Sequence, residues 1–181
     1  MSTPDEIRQV ETEIVYRNRW MTVREDKILR ADGSSGLYGV VDKPAFAVII
    51  AASGDDIYLV EQFRYPVGRR FWELPQGSWE ERSIEATELA RAELREETGL
   101  EAASVRHLGQ LFLAYGFCTQ SYDVFLARDL IQGDARREPE EQGLVVKAFP
   151  LTQVDDMIRS GLIQDATTVA ALNLARLNGA V

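Results

Sequence analysis

The chain has one cysteine, Cys118, so no disulfide can close within it, and a reducing compartment is expected. Histidine also occurs once, at His107. With no second imidazole, His107 is read as structural, and Cys118 has no histidine partner in a thiol-protease pattern. Basic residues are in the minority: 20 Lys and Arg stand against 29 Asp and Glu, a net charge of -9. Duplex-binding proteins carry a basic footprint, so nucleic acid is not expected as a partner. No apolar run approaches the roughly 18 residues of a membrane span. Residues 1–9 are polar and acidic, with no basic-then-apolar leader pattern, and the chain is expected in the cytoplasm. What is present suffices for a core: 45% of residues are hydrophobic, over a length suited to one domain with a small appendage. A soluble acidic surface is the simplest source of the charge. An anionic substrate would then have to be met by a cation or a local arginine cluster.

Residues 12–16 and 20–29 carry β-branched and aromatic side chains and are expected as strands. The turn-forming stretch Ala31-Asp32-Gly33-Ser34-Ser35-Gly36 leads to a further strand at 37–41. Residues 1–43 are taken as an N-terminal antiparallel β-ribbon and 44–181 as the main domain. Residues 45–52 are almost continuously apolar, as in a strand buried on both faces. Strands at 57–63 and 71–74 follow, with a loop containing Pro66 and Gly68 between them. The clearest helix is 83–97, with Ser83 to cap it and Gly99 to close it in the left-handed conformation. Strands at 105–113, 122–127 and 144–149, and helices at 151–159 and 165–177, complete the chain. Strands and helices mix without regular alternation, which predicts an α+β fold or a sandwich of helix, sheet and helix.

The helix 83–97 carries the chemistry. Glu93, Glu96 and Glu97 stand at i, i+3 and i+4 and share one face. Glu93 and Glu97 are like charges one turn apart. They also lie at the negative end of the helix dipole, which disfavours each carboxylate by about 0.3–1 kcal/mol. Ala86, Leu89 and Ala90 project over the same side, so this face points inward. A divalent cation would offset the cost, and clustered hard oxygens suit Mg²⁺ or Mn²⁺. Taken alone, the same run also fits a solvated acidic face paired with Arg91 and Arg95.

The surrounding residues narrow the choice. Gly77 precedes a loop and then Ala92-Glu93-Leu94-Arg95-Glu96-Glu97-Thr98-Gly99-Leu100. This resembles the Nudix box, G-x5-E-x7-R-E-U-x-E-E-x-G-U, with every specified position matched from Glu93 onward. Phe71-Trp72-Glu73-Leu74-Pro75-Gln76-Gly77 and Val60-Glu61-Gln62-Phe63-Arg64-Tyr65-Pro66 are similar to the segments before the box in ADP-ribose pyrophosphatase-like members. Three positions depart from the pattern. Ala92 stands for its arginine, Ile84 for its first glutamate, and Gly77 lies one residue too far upstream. An Ile84–Ala92 contact, or Glu85 with Arg91, is expected to hold the helix in their place.

The resemblance implies a Nudix-type α/β/α sandwich with a mixed central sheet, and metal-dependent hydrolysis of the pyrophosphate bond in a nucleoside diphosphate compound. It makes Glu93, Glu96, Glu97 and the backbone carbonyl of Gln76 the ligands of Mg²⁺ or Mn²⁺. It implies a general base on the loop before the last strand, where Glu140 is the candidate and Glu141 its neighbour. Arg64 takes a phosphate-contacting position, with Arg69 and Arg70 as weaker candidates. Trp20 takes the place of an aromatic residue that stacks on the base from a partner subunit, since similar enzymes form homodimers through the ribbon. The substrate is open between ADP-ribose and a sugar nucleotide such as GDP-mannose. Tyr115-Gly116-Phe117 stands where ADP-ribose members often carry a proline. The other readings are a catalytically silent Nudix-fold nucleotide-binding module, favoured by Ile84 and Ala92, and a Nudix-fold isomerase. The isomerase class needs clustered histidines that this chain lacks.

Overall fold

A computed structural model describes residues 6–78, 85–133 and 143–181. The chain forms two compact units. One runs to Ala45 and includes Phe112–Ser121; the other comprises Phe46–Leu111 and Tyr122–Val181.

The first unit is an antiparallel three-stranded sheet of β1 (Ile7–Arg17), β2 (Thr22–Arg30) and β3 (Ser35–Asp42). β1 extends five residues ahead of the expected strand, and every one of its residues is exposed. Its charged and polar start hid it from a pattern that looks for apolar alternation. Phe112–Ser121 joins this sheet through backbone bonds at Val41, whose N–H donates to the Phe117 carbonyl at 2.8 Å and whose carbonyl accepts from Thr119 at 3.0 Å.

The second unit is built on a mixed sheet. Its strands are β4 (Phe46–Ser53), β5 (Asp56–Arg64), β6 (Arg69–Glu73), β7 (Gln76–Gly77), β8 (Leu100–Phe112), β9 (Ser121–Gln132) and β10 (Val145–Pro150). The spatial order is β10-β5-β4-β9-β8, with β6 paired to β5 and β7 to β4. β4 and β9 are parallel, and β4 is antiparallel to β5 and β7. The expected 45–52 strand is β4, and its apolar continuity has a two-sided cause. Ala47, Ile49 and Ala51 pack with Leu89, Ala90 and Leu94 of helix α1 (Ala86–Thr98). Val48, Ile50 and Ala52 pack with Val154 and Met157 of α2 (Leu151–Arg159) and with Ala171, Leu172 and Ala175 of α3 (Ala166–Leu177). The sheet is therefore sandwiched between helices. Ile49 and Ile50 are fully buried, each worth roughly 1.5–3 kcal/mol relative to exposure.

Helix α1 begins at Ala86, later than expected, because Glu85 is extended and offers no side-chain cap. Ser83 and Ile84 lie outside the described residues. Gly99 ends the helix as expected, at φ 73°, with its N–H donating to the Arg95 carbonyl at 2.9 Å. That sharp stop hands the chain straight to β8, which starts at Leu100 rather than 105. Among the described residues, no helix is long and apolar enough to cross a membrane.

Candidate active site

Two elements meet at the site: the C-terminal half of α1 and the short stretch from Glu73 to Gly77. On α1, Leu89, Glu93 and Glu97 fall on one line at a spacing of four. The face that buries Leu89 and Ala90 therefore carries the two glutamates inward as well. Glu93 is 5% exposed and Glu97 2%; Glu96 is half-buried. Arg91 donates to the Ala102 carbonyl at 2.5 Å, and no pair between Arg91 and Glu85 is found among the described residues. The Nε of Arg95 is buried and has no hydrogen-bond partner among the described residues. Ala92, at the position of the box arginine, is itself buried.

The stretch after Glu73 changes sheet partner. Glu73 is registered with Val60 of β5, whereas Gln76 and Gly77 are registered with Val48 and Ala47 of β4. β7 is only two residues long, too short to be visible in the sequence pattern. The crossing brings backbone against the helix carboxylates. The Gln76 N–H donates to Glu97 Oε2 at 3.1 Å. At Gly77 an added Cβ would lie 2.5 Å from the carboxyl carbon of Glu93 and 2.7 Å from its Oε1. Any larger residue at 77 would have to push that carboxylate aside. Two acidic side chains and the backbone at 76–77 thus share one place, and the donors are hard oxygens that suit a divalent cation. Among the described residues, no three acidic, histidine or cysteine side chains converge as a ready-made metal cluster.

Beside this place lies a buried carboxylate that sequence reasoning did not single out. Glu73 is 2% exposed. Its Oε1 accepts from Gln62 Nε2 at 2.6 Å and Arg64 Nη2 at 2.5 Å. Its Oε2 accepts from Arg64 Nε at 3.2 Å and Gln76 Nε2 at 3.3 Å. Burial raises its pKa, and the nearby Arg64 guanidinium offsets this only in part. The available signal was the alternation of Gln62 and Arg64, which puts both on one face of β5 opposite a strand ending in Glu73. Arg64, expected at a phosphate, therefore presents two of its nitrogens to Glu73. Its Nη1 has no partner among the described residues.

Asp165 and Thr168 were also missed as site residues. Asp165 caps α3, accepting from the Thr167 and Thr168 N–H groups at 3.3 and 2.8 Å. Its Oδ2 accepts in addition from Gln76 Nε2 at 3.2 Å. The sequence expectation put Asp165 at the helix start but could not show what else its carboxylate reaches.

The remaining expected residues fall elsewhere. Glu140 and Glu141 lie outside the described residues. Trp20 belongs to the first unit, where it is 48% exposed with the Arg19 guanidinium 4.2 Å over its ring. Asn18 Oδ1 accepts from the N–H groups of Trp20 and Met21 at 2.9 Å each and fixes the turn that presents it. Arg69 and Arg70 are exposed, bound to Gln164 and to Glu61. His107 contacts Asp123 Oδ1 at 2.7 Å and the ring of Phe125. Cys118 is a buried free thiol.

Comparison with known proteins fits this architecture. The NUDIX domain family matches residues 41–171, and a nucleoside diphosphate sugar hydrolase N-terminal domain matches residues 7–41. An ADP-ribose pyrophosphatase of Mycobacterium tuberculosis is 28% identical over 165 residues, covering 90% of this chain and 80% of that protein. A GDP-mannose pyrophosphatase of Citrobacter koseri is 38% identical over 85 residues, covering 46% of this chain and 44% of the relative. A solved ADP compounds hydrolase superposes with a TM-score of 0.86 over the full length of both chains at 21% identity, a likeness of fold.

Proposed function

Since the chain belongs to the NUDIX domain family and is a Nudix hydrolase, we propose that it cleaves the pyrophosphate bond of a nucleoside diphosphate compound in a reaction dependent on Mg²⁺ or Mn²⁺. The observation that carries this reading is the placing of buried Glu93 and Glu97 against the backbone of Gln76 and Gly77. Buried carboxylates on one helix face beside backbone carbonyls are the hard oxygen donors that a divalent cation takes.

Glu93, Glu96, Glu97 and the Gln76 carbonyl would hold the cation. When bound, a divalent ion neutralises phosphate oxygens and polarises the phosphorus they surround. Glu140 takes the proton from the attacking water, with Glu141 as the fallback, because a carboxylate committed to a cation has little basicity left. Arg64 turns Nη1 to a phosphate oxygen while Glu73 holds its other two nitrogens, which fixes the guanidinium plane in advance. Trp20 stacks on the base, a contact worth roughly 1–3 kcal/mol. The N-terminal ribbon, residues 1–43, is the dimerisation element of a homodimer, and the enzyme works in the cytoplasm on a small-molecule nucleotide.

ADP-ribose is the first substrate to test, because the M. tuberculosis relative is named for it and matches over 90% of this chain. A sugar nucleotide such as GDP-mannose is the next. The test is a panel of nucleoside diphosphate compounds incubated with Mg²⁺ or Mn²⁺, with the products identified. Release of two monophosphates from one of them is expected. Tight binding without turnover would favour the second reading, a silent nucleotide-binding module. Ala92, buried where the family pattern has an arginine, supports that reading.

A further inference from the structure

The crossing of Leu74 and Pro75 from one sheet partner to another raises a satisfaction problem. Glu73 is the last residue paired to β5, and Gln76 the first paired to β4. Pro75 has no N–H, and its carbonyl accepts from Ile49 N–H at 2.9 Å. The Leu74 N–H belongs to neither ladder and is fully buried with its residue. An orphaned buried N–H costs about 1–3 kcal/mol. It is answered from outside the sheet, by Thr168 Oγ1 at 2.9 Å.

Thr168 is 0% exposed, and its hydroxyl is used twice. It accepts from Leu74 and donates to Asp165 Oδ2 at 2.7 Å. The same Oδ2 accepts from Gln76 Nε2 at 3.2 Å. The first turn of α3 therefore grips the crossing at two points, the Leu74 backbone and the Gln76 side chain. Between those grips and the helix lies one further bond, from Gln76 N–H to Glu97 Oε2.

We propose that Thr168 and Asp165 are positioning residues, which set the height of the 74–77 backbone and through it the orientation of Glu97 and of the Gln76 carbonyl. The inference rests on reading Glu97 and Gln76 as part of a cation site. It assigns to α3, on the far face of the sheet from α1, a part in the site beyond packing. The Thr168 hydroxyl is what the role needs, so shape and polarity can be separated. Thr168→Val keeps the volume and removes both hydrogen bonds; Thr168→Ser keeps the hydroxyl and removes a methyl.

The test uses the full-length protein. Exchange of the Gln76 amide is followed by NMR without metal, Mn²⁺ affinity by electron paramagnetic resonance, and melting temperature in parallel. Val154→Ala, in α2 and away from the crossing, controls for lost stability. Thr168→Val should exchange the Gln76 amide about tenfold faster and bind Mn²⁺ about 10–100-fold more weakly, the usual loss when a group orienting a ligand is removed. Thr168→Ser should return both to near wild type, and Val154→Ala should leave both unchanged despite a lower melting temperature. The proposal is overturned if Thr168→Val keeps wild-type exchange and affinity, or if Val154→Ala matches its losses. Should the wild-type protein itself take up no Mn²⁺, the proposed function falls, and the metal-free exchange comparison still decides whether Thr168 positions Gln76.

Discussion

Gly77→Ala isolates the geometry of the site in a single methyl group. The new Cβ would lie 2.5 Å from the carboxyl carbon of Glu93, whereas ordinary contact begins at 3.4 Å. The carboxylate must therefore withdraw by 3.4 minus 2.5, about 1 Å. It is the end of a flexible side chain, so the fold can yield there, and alanine in place of glycine also lowers the entropy of the unfolded chain by about 0.4–1 kcal/mol. A displacement of about 1 Å in a group that must be in place costs on the order of 100-fold in rate, or about 2.7 kcal/mol of transition-state stabilisation. The expected result is a kcat/KM down by about that factor on the best substrate of the panel, with a melting temperature close to wild type. Steady-state hydrolysis at saturating Mg²⁺ and a thermal melt measure both. Unchanged kcat/KM would mean that the position of the Glu93 carboxylate against residue 77 is irrelevant to turnover. A collapsed melting temperature would refute the reasoning from the other side, since the side chain then could not withdraw.

Glu97→Gln should abolish activity while circular dichroism shows the fold intact, and EDTA should abolish it in the wild type; equal turnover in EDTA ends the metal reading. Glu140→Gln should lower kcat about 10²–10⁴-fold with little change in KM, and Glu141→Gln should do less; near wild-type kcat in both single mutants and the double mutant puts the base elsewhere, Glu96 first. Light scattering at micromolar concentration should give the mass of a dimer, and a monomer counts against the ribbon's proposed role. Glu73, with its pKa raised by burial, contributes stability that is fully present below its ordinary unfolded value and is lost as pH rises through its higher folded pKa. Melting wild type and Glu73→Gln from pH 4 to 8 should therefore move the comparison in favour of the mutant as pH climbs; the opposite trend would mean that Arg64 outweighs burial.

Much of this was legible because it is periodic or punctuated. The spacing of Leu89, Glu93 and Glu97 identified the inward face of α1, and Gly99 marked its end through a conformation that favours glycine. The apolar run of β4 announced burial on both sides, and α2 begins and ends where the pattern put it. What escaped was non-local. Nothing near Asp165 in sequence says that its carboxylate will meet Gln76, 89 positions earlier. Glu73 read as one more polar residue of a family motif, because its burial depends on Gln62 and Arg64 being folded over it. The part of Phe112–Ser121 in the N-terminal unit likewise depends on backbone pairing with Val41, which leaves no trace in side-chain pattern.

That last pairing has a consequence for how the protein is made. β3 leaves the ribosome ahead of its bridging partner, since the residue that bridges to Val41 is Cys118, 118 minus 41 or 77 positions later. At roughly 5–20 residues per second, Val41 waits about 4–15 s for it. During that interval the edge of β3 at Val41 lacks its backbone partners, and Leu37 and Tyr38, exposed even in the finished unit, stand close by on the same strand. Nascent chains on crowded polysomes therefore offer one another an open strand edge, and a shorter wait, or a chaperone that covers residues 35–42, should raise the soluble yield.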